Sequence, residues 1–222
     1  FEFEKNGITA PDAMVERYAA LAADAGAAPV GATAPVLIPD RANLDAAIHA
    51  LDLRVDCGMA ILCPGAEFGP AKRWPPEHFA DLARKFLADG LEVWLLGSPN
   101  DKPATEAVLS AAGTDRGALR DLSGRTDLGT AIDLLSLASI VVSNDSGLMH
   151  IAAALDRPML AIFGSSSPQF TPPLSDKAQV LKLDLPCSPC FKRVCPLGHF
   201  NCMMQLTPQE VARHIPVRQV KS

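Results

Sequence analysis

The chain has 222 residues, 48% of them hydrophobic and 20% charged, a balance typical of globular domains and too apolar for a disordered segment. No run approaches the roughly 18 consecutive apolar residues that a membrane-spanning helix needs. With 20 Lys and Arg against 25 Asp and Glu the net charge is −5, which argues against a general nucleic-acid partner but leaves room for a local basic patch.

The first residues, Phe1-Glu2-Phe3-Glu4-Lys5, lack the basic-then-apolar pattern of a secretion signal, so a cytoplasmic location is expected. Met14 to Ala25 reads as one helix, with Met14, Tyr18, Leu21 and Ala22 on one face. Gly26 to Pro35 is a run of small residues broken by two prolines and reads as a linker. A lone helix and a linker predict that residues 1–35 are the remnant of something larger. The main domain is then expected over 36–206, with a helix or tail over 207–222.

From Asn43 the pattern becomes regular. A short helix over Asn43–Ala50 leads to Met59-Ala60-Ile61-Leu62-Cys63, a continuous apolar run that suits a parallel strand buried on both faces. Pro75 and Pro76 open a helix whose Phe79, Leu82, Ala83, Phe86 and Leu87 share a face, and Gly90 stands where it can cap the end. Then follow a strand over Leu91–Leu96, a helix over Asp101–Ala111, a helix over Leu128–Ala138 and the strand Ile140–Val142. A helix over Leu148–Leu155 precedes the strand Met159–Phe163, and a further strand is expected over Gln179–Leu183. This alternation predicts an α/β fold: a Rossmann-like parallel sheet with helices on both faces. Ligands of such sheets bind at the carboxyl ends of the strands, which directs attention to the loops after Cys63, Leu96, Val142 and Phe163.

Familiar fingerprints are missing from those loops. There is no Gly-x-Gly-x-x-Gly, no Gly-Lys-Ser/Thr, no nucleophile elbow around Ser146, and no Asp-x-Asp pair for a metal–diphosphate complex. Three loops suit an anion. In Pro64–Pro75, Gly65 and Ala66 leave the backbone approachable, and Lys72 and Arg73 place two cations before a helix start. In Ser143–His150, the amides of Ser146 and Gly147 open a helix, Asp145 suits capping, and His150 lies one turn in. The polar loop Ser123–Asp127, with Arg125 and Thr126, can border a nucleotide base.

The stretches Pro64–Pro75, Ser143–Ala154 and Ser166–Leu174, in that order and spacing, resemble the lipopolysaccharide heptosyltransferase II family, within glycosyltransferase family 9. The resemblance covers the C-terminal half of the family's chain. It implies the GT-B architecture of two facing Rossmann-like domains, of which this would be the half that holds ADP-heptose. It further implies heptose transfer, with inversion, to the lipopolysaccharide inner core at the cytoplasmic face of the inner membrane. The acceptor and the general base would belong to a missing N-terminal domain, so this part alone should be inactive. Carried over, the phosphate-binding lysine falls on Lys72, the diphosphate and sugar contacts on Asp145, Ser146, Gly147 and His150, and the adenosine side near Arg125 and Thr126. Asp101 stands near the family's acidic ribose ligand without matching it. Lys72 and the Ser146 and Gly147 amides could stabilise the departing ADP without a metal. Asp145 is assigned to capping and sugar hydroxyls, because diphosphate repels a carboxylate. The alternatives are a nucleotide-sugar epimerase of the same architecture and a nucleotide-binding module with no chemistry.

Cys187, Cys190, Cys195 and Cys202 cluster near Gly198-His199. The first pair has zinc-knuckle spacing, while the later spacings fit no standard finger, so structural zinc, free thiols and disulfides all remain open. The cluster is far in sequence from the phosphate loops and is expected to serve stability, not transfer.

Overall fold

A computed structural model of the protein describes residues 13–21, 33–113, 117 and 119–215. The expected linker falls mostly, and the expected C-terminal tail partly, outside the described residues, as do the last residues of the first expected helix. Fourteen elements are described in chain order: α1 (Met14–Ala20), α2 (Arg41–Ala50), β1 (Met59–Cys63), α3 (Pro76–Ala88), β2 (Glu92–Leu95), α4 (Lys102–Ala112), β3 (Leu119–Asp121), α5 (Leu128–Leu135), β4 (Ala138–Asn144), α6 (Gly147–Ala154), β5 (Met159–Ile162), β6 (Ala178–Leu181), α7 (Asn201–Met204) and α8 (Pro208–Arg213).

All six strands are parallel, in the order β3-β2-β1-β4-β5-β6. This is the α/β sheet the alternation predicts. Side chains of β1 alternate between two cores. Ala60 and Leu62 join Trp74, Phe79, Phe86 and Val211 on the side of α3, α4 and α8. Ile61 and Cys63 join Trp94, Leu134, Met149 and Phe163 on the side of α2, α5 and α6. Each large side chain fully removed from water contributes about 1.5–3 kcal/mol, so two faces filled this way hold the sheet. Because α8 packs on α3 and buries Val211, the described part of residues 207–222 belongs to the main core.

The chain runs outward from β1 through β2 to β3, then returns to the centre at β4 and leaves on the other side. That reversal opens a crevice outside the carboxyl ends of β1 and β4, where parallel sheets of this kind bind ligands. One clip closes its floor. Asn144, the last residue of β4, accepts the Trp74 N–H at 3.0 Å and donates to the Pro64 carbonyl at 2.8 Å. Trp74 in turn donates its indole N–H to the Leu206 carbonyl at 2.7 Å.

Candidate functional site

A cavity of about 420 Å³ lies at the strand ends, within the size range of small-ligand sites. Its walls come from the loops after β1, β2, β3 and β4, including Gly65, Ala66, Asp101, Thr126, Ser146 and Gly147. Glu67 and Asp127 complete a lining with carboxylates and no cation. Gly65 is required here by close approach: a Cβ at this position would collide with the Asp101 carboxylate. Asp101 is itself fixed, taking the Ser98 N–H at 2.9 Å and the Ser98 hydroxyl at 2.7 Å.

The cations stand outside that lining. Lys72 Nζ lies 2.5 Å from Asp145 Oδ2, with side chains only 17% and 4% exposed. The Ser166 hydroxyl donates to the same oxygen at 2.5 Å. This corrects the capping role expected of Asp145. A carboxylate this buried needs a countercharge, and Lys72 supplies it, while α6 is N-capped by Ser146 with no side-chain cap bond. The first-turn amides of α6 are thus not taken by a capping side chain, and both Ser146 and Gly147 line the cavity.

The other expected residues take different places. The Arg73 guanidinium donates to the Ala66 carbonyl at 3.3 Å, so it braces the first loop. Arg125 is exposed and stands outside the cavity lining, to which its neighbour Thr126 contributes. His150 keeps an exposed edge; desolvation lowers its pKa, with Asp145 opposing and Lys72 reinforcing the shift. Asn144 and Ser166 carry no expectation from the sequence reading. A polar residue closing a buried strand was the available signal for Asn144, and Ser166 lay inside a matching motif without an assigned role.

The cysteine-rich segment lies beside the first loop in space, despite its distance in sequence. The Ala71 N–H donates to the Arg193 carbonyl at 3.0 Å, and the Phe68 ring packs against the Lys72 ammonium at 5.0 Å and the Arg193 guanidinium at 5.2 Å. Gly69, at φ +145°, must be glycine, because a Cβ would stand 2.7 Å from that same carbonyl. The four thiols are free. Among the described residues no three His, Cys, Asp or Glu side chains stand where they could hold a metal ion, and His199 Nδ1 accepts the Asn201 N–H instead. Zinc, one of the three states left open for the cluster, gains no support from this arrangement.

Residues 3–201 match glycosyltransferase family 9 (heptosyltransferase). The chain belongs to that family. It is 41% identical over 209 residues to lipopolysaccharide heptosyltransferase 2 of Escherichia coli K12, covering 91% of this chain and 60% of that protein. With lipooligosaccharide heptosyltransferase 2 of Haemophilus influenzae it shares 44% identity over 180 residues, 77% of this chain and 52% of the relative. The solved structure of the E. coli ADP-heptose lipopolysaccharide heptosyltransferase II superposes with a TM-score of 0.79 at 40% identity, covering 90% of this chain and 60% of that one. The family 9 glycosyltransferase from Veillonella parvula, at 23% identity and TM-score 0.68 over 80% and 51% of the two chains, shares the fold. The chain thus spans 60% or less of these relatives. No described helix is long and apolar enough to cross a membrane.

Proposed function

We propose that the chain is the donor-binding part of a heptosyltransferase that adds heptose from ADP-heptose to the lipopolysaccharide inner core, inverting the anomeric carbon. The observation that carries this reading is the Lys72–Asp145 pair near the start of α6, where no capping side chain takes the first-turn amides, in the sheet's crevice next to a cavity whose lining holds no cation. The nucleoside would occupy that cavity against Gly65, Ala66 and Thr126, with Asp101 and Asp127 offering acceptors for ribose hydroxyls. Arg125 would close its outer edge. The diphosphate would meet Lys72 and the amides of Ser146 and Gly147, with Arg73 holding the loop and His150 flanking the sugar.

As ADP leaves, charge builds on its diphosphate, and a fixed ammonium with two amides stabilises it without a metal. Loss of one such donor costs roughly 3 kcal/mol of barrier. In the presence of diphosphate, Lys72 would be shared between Asp145 and the ligand, and Asp145 would keep the ammonium in place when the ligand departs. The general base and the acceptor site are assigned to a domain outside this chain, and the whole enzyme to the cytoplasmic face of the inner membrane, held peripherally. Without the base, transfer by this chain falls by two to four orders of magnitude or more, on the order of what positioned proton transfer supplies.

Calorimetry with ADP, UDP and GDP, in chelator and again in magnesium, tests the reading. ADP should bind best and without magnesium, and Lys72→Ala should weaken it about tenfold or more. A strict magnesium requirement, or equal affinity for all three nucleotides, defeats it.

A further inference from the structure

The cysteine-rich loop is tied to the walls of the crevice at three points. The Ala71 N–H donates to the Arg193 carbonyl at 3.0 Å, the Phe191 N–H to the Ser165 carbonyl at 2.6 Å, and the Ser188 hydroxyl to the Gly164 carbonyl at 2.6 Å. Ala71 precedes Lys72, and Ser165 precedes Ser166, whose hydroxyl holds Asp145. From Leu185 to Gln209 the sequence carries Lys192 and Arg193 and no Asp or Glu, in a chain whose net charge is −5. A loop held this firmly presents its cations in a fixed place.

The Arg193 guanidinium lies over the Phe68 ring at 5.2 Å, and the Lys72 ammonium meets the same ring at 5.0 Å. A planar guanidinium resting on an aromatic face keeps its N–H donors at the edge, free for an oxyanion. Among the described residues that guanidinium makes no hydrogen bond and no ion pair. Two like charges beside one ring repel each other, and only Lys72 has a carboxylate, Asp145, to offset this.

The charges of the site leave room for a further cation. A nucleoside diphosphate sugar carries a negative charge on each of its phosphates. Against these the crevice sets the Ser146 and Gly147 amides and Lys72, which Asp145 already balances. The nucleoside cavity is lined by carboxylates and no cation, and Arg73 is turned to the Ala66 carbonyl. Outward from that cavity along the first loop come Glu67, then Phe68 with the two cations beside its ring.

We infer that Arg193 forms a second oxyanion subsite, which takes the sugar-side phosphate of the donor and the charge that builds there as the nucleotide leaves. Lys72 and the amides of α6 hold the nucleoside-side phosphate, and Arg193 meets the outer one. Lys192, its exposed neighbour, adds to the local positive potential. Through Arg193 the cysteine-rich loop, expected to serve stability, also takes part in donor binding.

This inference rests on the donor-site reading, which places a nucleoside diphosphate in the crevice. Calorimetry in chelator compares ADP with AMP, which lacks the outer phosphate, on the full 222-residue chain and its variants. Arg193→Gln should weaken ADP about fivefold or more and AMP less than about twofold, because the lost contact is a charge-assisted one to the outer phosphate alone. Arg193→Lys keeps the charge without the fork and should fall between the parent and Arg193→Gln. Added salt should weaken ADP more in the parent than in Arg193→Gln. The Arg193 side chain is exposed and the loop is tied through its backbone, so both variants should melt within about 2 °C of the parent. Equal weakening of ADP and AMP by Arg193→Gln, or an ADP affinity within about twofold of the parent, overturns the inference; where Lys72→Ala still weakens ADP about tenfold, the donor reading survives it. If neither nucleotide binds the parent chain, both fall. If Arg193→Gln acts on ADP alone while UDP and GDP bind the parent as tightly as ADP, the subsite stands and the ADP-specific donor reading falls.

Discussion

Lys72→Met keeps most of the side chain's length and removes the ammonium, together with its contact with the Phe68 ring. Asp145 retains the Ser166 hydroxyl but loses its countercharge at a position where its side chain is 4% exposed. Breaking a fully buried pair in this way costs about 3–5 kcal/mol. Lys72 is 17% exposed, so water recovers part of the loss, and about 2 kcal/mol is expected. Asp145→Asn leaves the orphan charge on the member nearer water and should cost less, about 1 kcal/mol. The double variant leaves no unpaired charge, so its loss should undershoot the sum of the single losses by about 1 kcal/mol. In a chain of this size 1 kcal/mol is about 2–4 °C, which puts the melting temperature of Lys72→Met about 4–8 °C below the parent. Urea midpoints of the four chains at one pH give the cycle. Additivity within about 0.3 kcal/mol, or a Lys72→Met chain within about 0.5 kcal/mol of the parent, would refute the argument.

Gly65→Ala should destabilise the chain by about 1–3 kcal/mol and weaken ADP, because the new methyl group must push aside the Asp101 carboxylate that Ser98 holds; unchanged urea midpoint and affinity would count against it. Burial holds the pKa of His78 below 6.5 against the opposing pull of Asp81 and Glu77, so the unfolded chain takes up this proton first and stability falls as pH drops below about 6.5. The loss between pH 7.5 and 5.5 should be smaller in His78→Gln, measured by urea midpoints; equal losses remove His78 as the source. Burial pushes the Cys63 thiol up to about 12, so at pH 8 roughly one part in 10⁴ is thiolate. Iodoacetamide should therefore reach Cys63 only in denaturant, which peptide mapping of native and denatured samples reads directly; labelling of Cys63 in the native chain would count against its burial.

Long apolar stretches were legible from the sequence because burial on two sides leaves no choice of residue: β1 spans the very residues its apolar run predicts, and β5 differs by one at its end. β3 was not, since Leu119-Arg120-Asp121 carries one apolar side chain and pairs with β2 alone. α7 and α8, four and six residues long, are too short to show a period. At the site, Lys72 and Asp145 both stood in recognisable loops, yet their pairing depends on β1 lying beside β4, which no local pattern encodes. The same reason hid the cysteine-rich loop's place against Ala71. The capping half of the Asp145 expectation failed because repulsion from a diphosphate, and not burial, set it.

The sheet order has a kinetic side. β1–β2–β3 and β4–β5–β6 each pair neighbours along the chain, while β1–β4 joins residues far apart, as in Ala60 with Ile140. Closing that loop costs only about 0.8 kcal/mol more than closing β1 on β2, by the logarithmic scaling of loop entropy. It must nevertheless be met before the contacts it enables reward it, and such non-local pairings slow folding. The crevice lies on the seam between two three-stranded halves, and a variant slow to join them would expose two matched strand edges, β1 and β4, to pairing with a second chain.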